Sequence, residues 1–404
     1  MTRDTGKPVP QARNEAKATQ TRVRYFASIA EEALREVTTS ATPSMREVIR
    51  YEPLGVVANI SAWNFPLFVG SNVWAPALVA GNAVLYKPSE HAVGTARLVA
   101  DLWREAGLPD GLFGLVDAAP ATGAFLAEEA AVDGIFFTGS VATGARIARA
   151  AAPRMVKLQL ELGGKDAVYV ADDVADVARA ARGLADGAFY NAGQSCCSVE
   201  RIYVHASVFD EFLEVFLAEV RSFSVGSEWD EGTYVGPLCL PRQPEFLRGQ
   251  VDDALAKGAV ALAGYGAPGE EDASSAMMMT PRHFPPTVLT GVARDTAAHR
   301  EESFGPLVIV DAVSTDDEAL HRMNDSPYGL TAAVYSASED RAVGMLERLQ
   351  TGSAYWNCCD RTSPHLPWSG RRNSGIGVTM SHLGIQTMTH PRGYHLSTPP
   401  SSPV

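Results

Sequence analysis

The chain has little cysteine, no cationic excess and no long apolar run. Its 404 residues hold five cysteines, Cys196, Cys197, Cys239, Cys358 and Cys359. An odd, sparse set in a chain of this size excludes a disulfide framework. Neither adjacent pair has a zinc-ligand spacing and few histidines lie nearby, so no metal site is predicted. Lys and Arg number 34 against 47 Asp and Glu, a formal net charge of −13. That leaves no basic surplus to neutralise phosphates, which excludes a nucleic-acid or anionic-membrane partner. No apolar stretch approaches a membrane span. The N-terminal Met1-Thr2-Arg3-Asp4-Thr5-Gly6-Lys7 has no apolar signal core, which predicts a cytoplasmic protein. Internal repeats and coiled-coil heptads are absent from the sequence.

What is present is an alternation of apolar runs. At 46% hydrophobic and 20% charged residues the chain is of globular composition. Its length exceeds what one core serves, so at least two packed units are expected. Residues 1–40 read as helix over most of their length, with Val23, Phe26, Ala27, Ile29, Ala30 and Ala33 at helical spacing. Val48-Ile49-Arg50-Tyr51 reads as a short strand. Strands at 54–60, 83–87, 112–116, 134–137 and 155–160 then alternate with helices at 66–80, 92–106, 121–130 and 141–152. This predicts a doubly wound α/β domain with a parallel sheet, binding its ligand at the carboxyl ends of the strands. After Gly163-Gly164 the alternation restarts, and further strands at 167–170, 201–204, 260–262, 287–289, 307–310, 332–335 and 352–356 predict a second α/β unit. Residues 264–280 read as a surface loop and the Ser-Pro-rich tail tip as frayed.

Chemistry concentrates in a few stretches. Asn191-Ala192-Gly193-Gln194-Ser195-Cys196-Cys197 brings two thiols out of a small-residue turn, which lets the backbone approach a reacting carbon. Spacing alone leaves open which thiol is the nucleophile. In Trp63-Asn64-Phe65-Pro66, Asn64 suits an amide donor to an oxyanion, or a plain helix cap. Lys87-Pro88-Ser89-Glu90 ends a buried strand where acidic residues hold nucleotide ribose; a turn with a surface ion pair is the plainer reading. Phe137-Thr138-Gly139-Ser140 opens a helix whose first N–H groups suit an anion. Glu161, before Gly163-Gly164, is placed for burial and hence for a raised pKa and general-base work, or for a pair with Lys165. Glu302-Ser303-Phe304-Gly305-Pro306 puts a carboxylate and an aromatic before a tight turn.

Taken in order, and with Asn324 to Leu330 and Ser374-Gly375-Ile376-Gly377, these stretches resemble the aldehyde dehydrogenase superfamily from about Thr5 to the last strand. The resemblance implies that fold: a Rossmann-like cofactor domain (1–41 and 53–163), an α/β catalytic domain (164–372), and oligomerisation strands (42–52 and 388–404). It selects Cys196 as nucleophile, with Cys197 packed beneath. Asn64 and the Cys196 N–H would hold the oxyanion, and Glu161 would activate water against a thioester. The cofactor-binding residues implied are Ile60, Trp63, Lys87, Glu90, Gly123, Phe137, Gly139, Ser140, Gly144, Leu162, Glu302 and Phe304. Glu90 at the ribose predicts NAD over NADP. Phe65, Val69, Asn72, Trp356, Arg361, Thr362 and Trp368 would line the substrate channel, and homodimers or homotetramers are implied.

The sequence departs from the family pattern in three places. It starts late, which predicts that part of the outer cofactor layer is missing. Thr379 stands where the family usually has Glu. Ala118, Ala119 and Pro120 stand where glycines are frequent. The expected activity is NAD-dependent oxidation of an aldehyde to its acid. The alternatives are a semialdehyde dehydrogenase using Arg361, an acyl-transfer enzyme using Cys196 without redox, and a weakly active or structural homologue.

Overall fold

Short apolar runs punctuated by glycine and proline become strands along the whole chain of this computed structural model. It describes residues 1–116, 119–269 and 280–398. The chain opens with α1 (Thr2–Thr5) and α2 (Val9–Ala33). Pro8 and Pro10 sit at the start of α2, where a missing N–H leaves no bond unmade. The helix expected over residues 1–40 therefore stops at Ala33. Val37–Thr42 is instead strand β1, because Val37, Thr38, Thr39 and Thr42 are β-branched and suit a pleated surface. The strand read at 48–51 is longer, β2 (Met45–Pro53).

Next come β3 (Val56–Ile60), α3 (Pro66–Val79), β4 (Ala83–Lys87), α4 (Val93–Glu105), β5 (Phe113–Leu115), α5 (Pro120–Glu128), β6 (Gly134–Thr138), α6 (Val141–Ala151) and β7 (Lys157–Glu161). The strands run parallel in the spatial order β7-β6-β3-β4-β5. The chain builds outward from β3 to β5, then returns to the other side of β3 with β6. Such a reversal leaves a crevice between the carboxyl ends of β3 and β6, the ligand position in open α/β sheets. Its core includes Phe26, Val57, Trp74, Tyr86 and Phe136.

The second unit contains β8 (Asp166–Val170), α7 (Val177–Phe189), β9 (Val199–His205), β10 (Val260–Ala263), β11 (Thr287–Thr290), β12 (Leu307–Val313), β13 (Thr331–Tyr335) and β14 (Ser353–Trp356). They form one sheet, β10-β11-β12-β9-β8-β13-β14, in which β10 alone is antiparallel to its neighbour. Phe189, Phe212 and Phe216 fill its core. β15 (Gly375–Ile376) then crosses back and pairs antiparallel with β7, Gly375 opposite Glu161. Finally β16 (Thr389–Ser397) pairs antiparallel with all nine residues of β2, and β1 closes the other side of this three-stranded sheet.

The reading missed the helices Asp316–Asn324, Glu339–Leu346 and Ser381–Thr387. The first two carry plain N-caps: Thr315 accepts from Glu318 N and Ser338 from Arg341 N, each at 3.2 Å. Most of the loop read at 264–280, Ala118 and the tail tip lie outside the described residues.

Candidate active site

The cysteine loop leaves α7 through a strained turn. Asn191 and Ala192 both have φ 54°, a left-handed conformation that costs non-glycine residues about 1 kcal/mol or more each. Gly193 follows at φ 67°, and a Cβ there would lie 2.2 Å from the Gly305 carbonyl oxygen, so glycine is required. Buried amides hold this shape. Asn191 N donates to Gln11 Oε1 at 3.0 Å, and Gln11 Nε2 donates to the Tyr234 carbonyl at 2.8 Å. The Asn191 side chain donates to the carbonyls of Asn64 (3.0 Å) and Gln194 (3.2 Å). Gln194 Oε1 accepts from Cys239 N at 2.9 Å. One asparagine thus ties the cysteine loop to the segment that carries Asn64.

The loop delivers Cys196, half-buried, to the wall of a cavity of about 1000 Å³. Asn64, at the start of α3, and Glu161, at the end of β7, share that wall. The Asn64 side chain is buried, and its backbone is fixed by the bond from Asn191. Cys197 is buried behind Cys196, with its thiol donating to Asp360 Oδ1 at 2.8 Å. Hydrogen bonding to Cys196, burial and the Asp360 carboxylate hold the Cys197 thiol well above the ordinary thiol range. Burial pushes Asp360 up to about 7.

Glu161 is fully enclosed. Its Oε1 accepts from Gln159 Nε2 at 2.8 Å and from Thr379 Oγ1 at 3.3 Å, while the buried Oε2 has no partner among the described residues. Burial raises its pKa well above the ordinary carboxylate range, and the donated hydrogen bonds only partly offset this. Lys165 does not pair with it. That ammonium is buried against Glu200 and donates to Ser303 Oγ at 3.0 Å. Thr379, the residue in place of the usual Glu, is one of the groups that hold Glu161.

Of the expected channel residues, Phe65, Val69, Asn72, Arg361, Thr362 and Trp368 line this cavity. Trp356 does not. Its indole N–H donates to the Ser336 carbonyl at 2.9 Å and its ring is 38% exposed at the end of β14, which corrects that expectation.

The expected cofactor residues gather at the carboxyl ends of β4, β3, β6 and β7. Ile60, Lys87 and Phe137 close adjacent strands, and Trp63 follows β3. Lys87 is buried, donates to the Pro88 carbonyl at 3.2 Å, and lies 3.6 Å from where a Cβ on Gly123 would be. Burial lowers its pKa despite Glu90 nearby. Glu90 is exposed at the same strand end, its Oε2 accepting from Ser89 Oγ at 3.3 Å. Ser140 caps α6 after Gly139, its hydroxyl accepting from Thr143 N at 3.4 Å. Gly144 lets Leu162 pack on that helix, where a Cβ would stand 2.5 Å from Leu162 Cδ2.

Glu302 is half-buried, and its Oε1 accepts from Gly164 N at 2.9 Å. Burial, and then Glu200, push it up to about 8. Phe304, at φ 45°, meets the Trp63 ring edge-on at 5.5 Å. Space beside the Glu302 carboxylate is kept by Gly163, whose Cβ would be 2.2 Å from Oε2. An anion-ready helix start, an acidic group at the end of β4 and a half-buried carboxylate along one crevice fit a dinucleotide.

Several site residues were missed because they are remote in sequence. Arg22 on α2 and Phe68 on α3 line the cavity. Glu15 Oε1 accepts from the N–H groups of Leu67 (2.8 Å) and Phe68 (3.2 Å), while its Oε2 pairs with buried Lys7. Polar Gln11, Glu15, Thr19 and Arg22, at spacings of four, four and three, are the buried face of α2 and the available signal.

Against known proteins, residues 1–393 match the model of the aldehyde dehydrogenase family. Among solved structures, an NAD-dependent aldehyde dehydrogenase from Sinorhizobium meliloti is 33% identical, with TM-score 0.92, over 100% of this chain and 78% of that one. Betaine aldehyde dehydrogenase from Staphylococcus aureus in complex with NAD+ is 31% identical, TM-score 0.90, over 99% of this chain and 78% of that one. An E. coli NADP-dependent enzyme is 29% identical, TM-score 0.92, over 98% and 81%. A family model that spans nearly the whole sequence and solved relatives at this likeness place the chain in one family: it belongs to the aldehyde dehydrogenases.

Proposed function

We propose that this protein oxidises an aldehyde to the corresponding carboxylate with NAD, using Cys196 as nucleophile and Glu161 as general base. The observation that carries the reading is the meeting of Cys196, Asn64 and Glu161 on one cavity from three separate segments, with Glu161 Oε2 buried and without a partner among the described residues. Cys197 is a poor candidate nucleophile, since its thiol is committed to Asp360.

Cys196 reacts as the thiolate, its proton already lost to solvent; the sulfur forms a bond to the carbonyl carbon, and the carbonyl π pair moves to oxygen. The Asn64 amide and the Cys196 backbone N–H receive that oxyanion. NAD, when bound, supplies the acceptor for the hydride that leaves this carbon. Glu161 then takes a proton from water as the water oxygen attacks the thioester. The C–S bond breaks and the acid leaves. A carboxylate held above its ordinary pKa is a stronger base once ionised, which suits this second step.

Ile60, Trp63, Lys87, Glu90, Gly123, Phe137, Gly139, Ser140, Gly144, Leu162, Glu302 and Phe304 would hold NAD, with Glu90 favouring a free ribose hydroxyl over a phosphate. No described helix is long and apolar enough to cross a membrane. Among the described residues the outer edges of β1 and β16 pair with no further strand, and they are the proposed contact between copies in a dimer or tetramer.

The test is NADH absorbance across an aldehyde panel, with Cys196→Ala as control. Turnover by the wild type and none by the variant is the expected outcome. A folded, NAD-binding protein that oxidises no aldehyde refutes the activity, and full activity in Cys196→Ala refutes the nucleophile.

A further inference from the structure

The cavity wall holds a charge that the chemistry above does not use. Arg22 is 4% exposed, yet no carboxylate lies in ion-pair contact with it among the described residues. Its Nη1 donates to Asn72 Oδ1 at 2.7 Å and its Nη2 to Thr362 Oγ1 at 3.0 Å, both neutral oxygens. The guanidinium lies over the Phe68 ring at 4.1 Å. Three of its five N–H donors are left without a partner among the described residues. Burial pulls its pKa down to about 10, so the guanidinium remains protonated at neutral pH. The carboxylate nearest in effect, Glu15 on the same helix, is already paired with Lys7, so the buried cation keeps donors that an anion delivered from solution can satisfy.

The acidic groups on the same wall are already engaged. Asp176 accepts from Arg179 N at 2.8 Å, Asp186 from the Tyr234 hydroxyl at 2.5 Å, and Asp360 from the Cys197 thiol. Glu161 is held by Gln159 and Thr379. Arg179 and Arg361, both exposed, add positive charge to the lining. Phe65, Val69 and Trp368 offer an apolar surface for a short hydrocarbon spacer.

We propose that Arg22 receives the carboxylate of a substrate that carries an aldehyde at one end and an acid at the other, a short ω-oxoacid. The planar fork of the guanidinium matches a carboxylate in two parallel hydrogen bonds. This inference rests on the reading that Cys196 attacks an aldehyde in this cavity. It assigns the positive element to a helix near the N-terminus, 340 residues from Thr362 in sequence.

The experiment compares 4-oxobutanoate with butanal. The wild type is expected to show a lower KM for the oxoacid, rising with added salt. In Arg22→Met the ratio of kcat/KM for oxoacid over butanal falls about 10- to 100-fold, mainly through KM. Arg22→Lys, which keeps the charge and loses the fork, falls between. A purely structural role would move both substrates alike, so an unchanged ratio overturns the proposal. So does a wild type that favours butanal, whatever the folding of the variants. A second arm measures whether glutarate raises the melting temperature of Cys196→Ala and fails to raise that of Arg22→Met. If no aldehyde is oxidised while glutarate still binds through Arg22, aldehyde oxidation is refuted and the anion site stands.

Discussion

The cysteine loop rests on a residue about 180 positions upstream, and Gln11→Met tests that support. Methionine keeps the length of the side chain and removes both hydrogen bonds. The Asn191 N–H and the Tyr234 carbonyl then lose their partner in the interior. Each unsatisfied buried group costs about 1–3 kcal/mol, so the two together cost about 2–4 kcal/mol after relaxation. That is comparable to the strain of the two left-handed residues that Gln11 helps to hold. The turn should then relax and displace Cys196. The assay is the rate of Cys196 alkylation by iodoacetamide beside kcat/KM, each expected to fall about 10-fold or more, with a lower thermal midpoint. Gln386→Met is the control. It removes a 3.0 Å donation to the Ala33 carbonyl, remote from the loop, and should lower stability without changing Cys196 reactivity. A Gln11→Met protein with wild-type alkylation and turnover would refute the claim that this glutamine shapes the loop.

Three further outcomes follow from the buried charges. Thr379→Val removes a donor that lowers the Glu161 pKa, so the acidic limb of the kcat profile should move to higher pH, and a limb that stays or moves down would contradict the role given to Thr379. Glu302 has a folded pKa of about 8, above its unfolded value, so its contribution to stability is full below the ordinary glutamate range and is lost as pH rises towards 8. Glu302→Gln should flatten the fall of the thermal midpoint of the cofactor-free protein between about pH 5 and 8. Lys7→Met leaves Glu15 buried without its cation and should cost about 3–5 kcal/mol in urea unfolding. The Lys7→Met, Glu15→Gln double variant should recover part of that loss, and additive losses would refute the pairing.

The alternating core of both domains was legible because its signals are local. Runs such as Val56–Ile60 and Leu307–Val310 are apolar, β-branched and bounded by turn residues. The stretches that bring Cys196, Asn64 and Glu161 to one cavity stood out for a similar reason, since each is a short run of small or polar residues at the end of an apolar element. The three-stranded sheet was half-legible. β1 follows α2 after three residues, Leu34, Arg35 and Glu36, that are all good helix formers, and the strand assignment is settled by pairing with β2. The helix Ser381–Thr387 starts after Met380 at φ 60°, with no side-chain cap to announce it. Arg22, Gln11 and Asp360 were not legible. Their partners lie 340, 180 and 163 residues away, and nothing in their neighbours predicts those contacts. Trp356 bonds to the Ser336 carbonyl instead of lining the cavity, a contact 20 residues away that its neighbours do not announce.

The nine-residue pairing of β2 with β16 sets a schedule on the ribosome. Met45–Pro53 emerges before its partner Thr389–Ser397, which follows only after some 340 further residues have been made. At about 5–20 residues per second this interval is roughly 20–70 s. During it one edge of β2 has no strand to bond, while both α/β domains between can complete their sheets. A strand made after both α/β domains is therefore the one that completes a sheet begun before either of them.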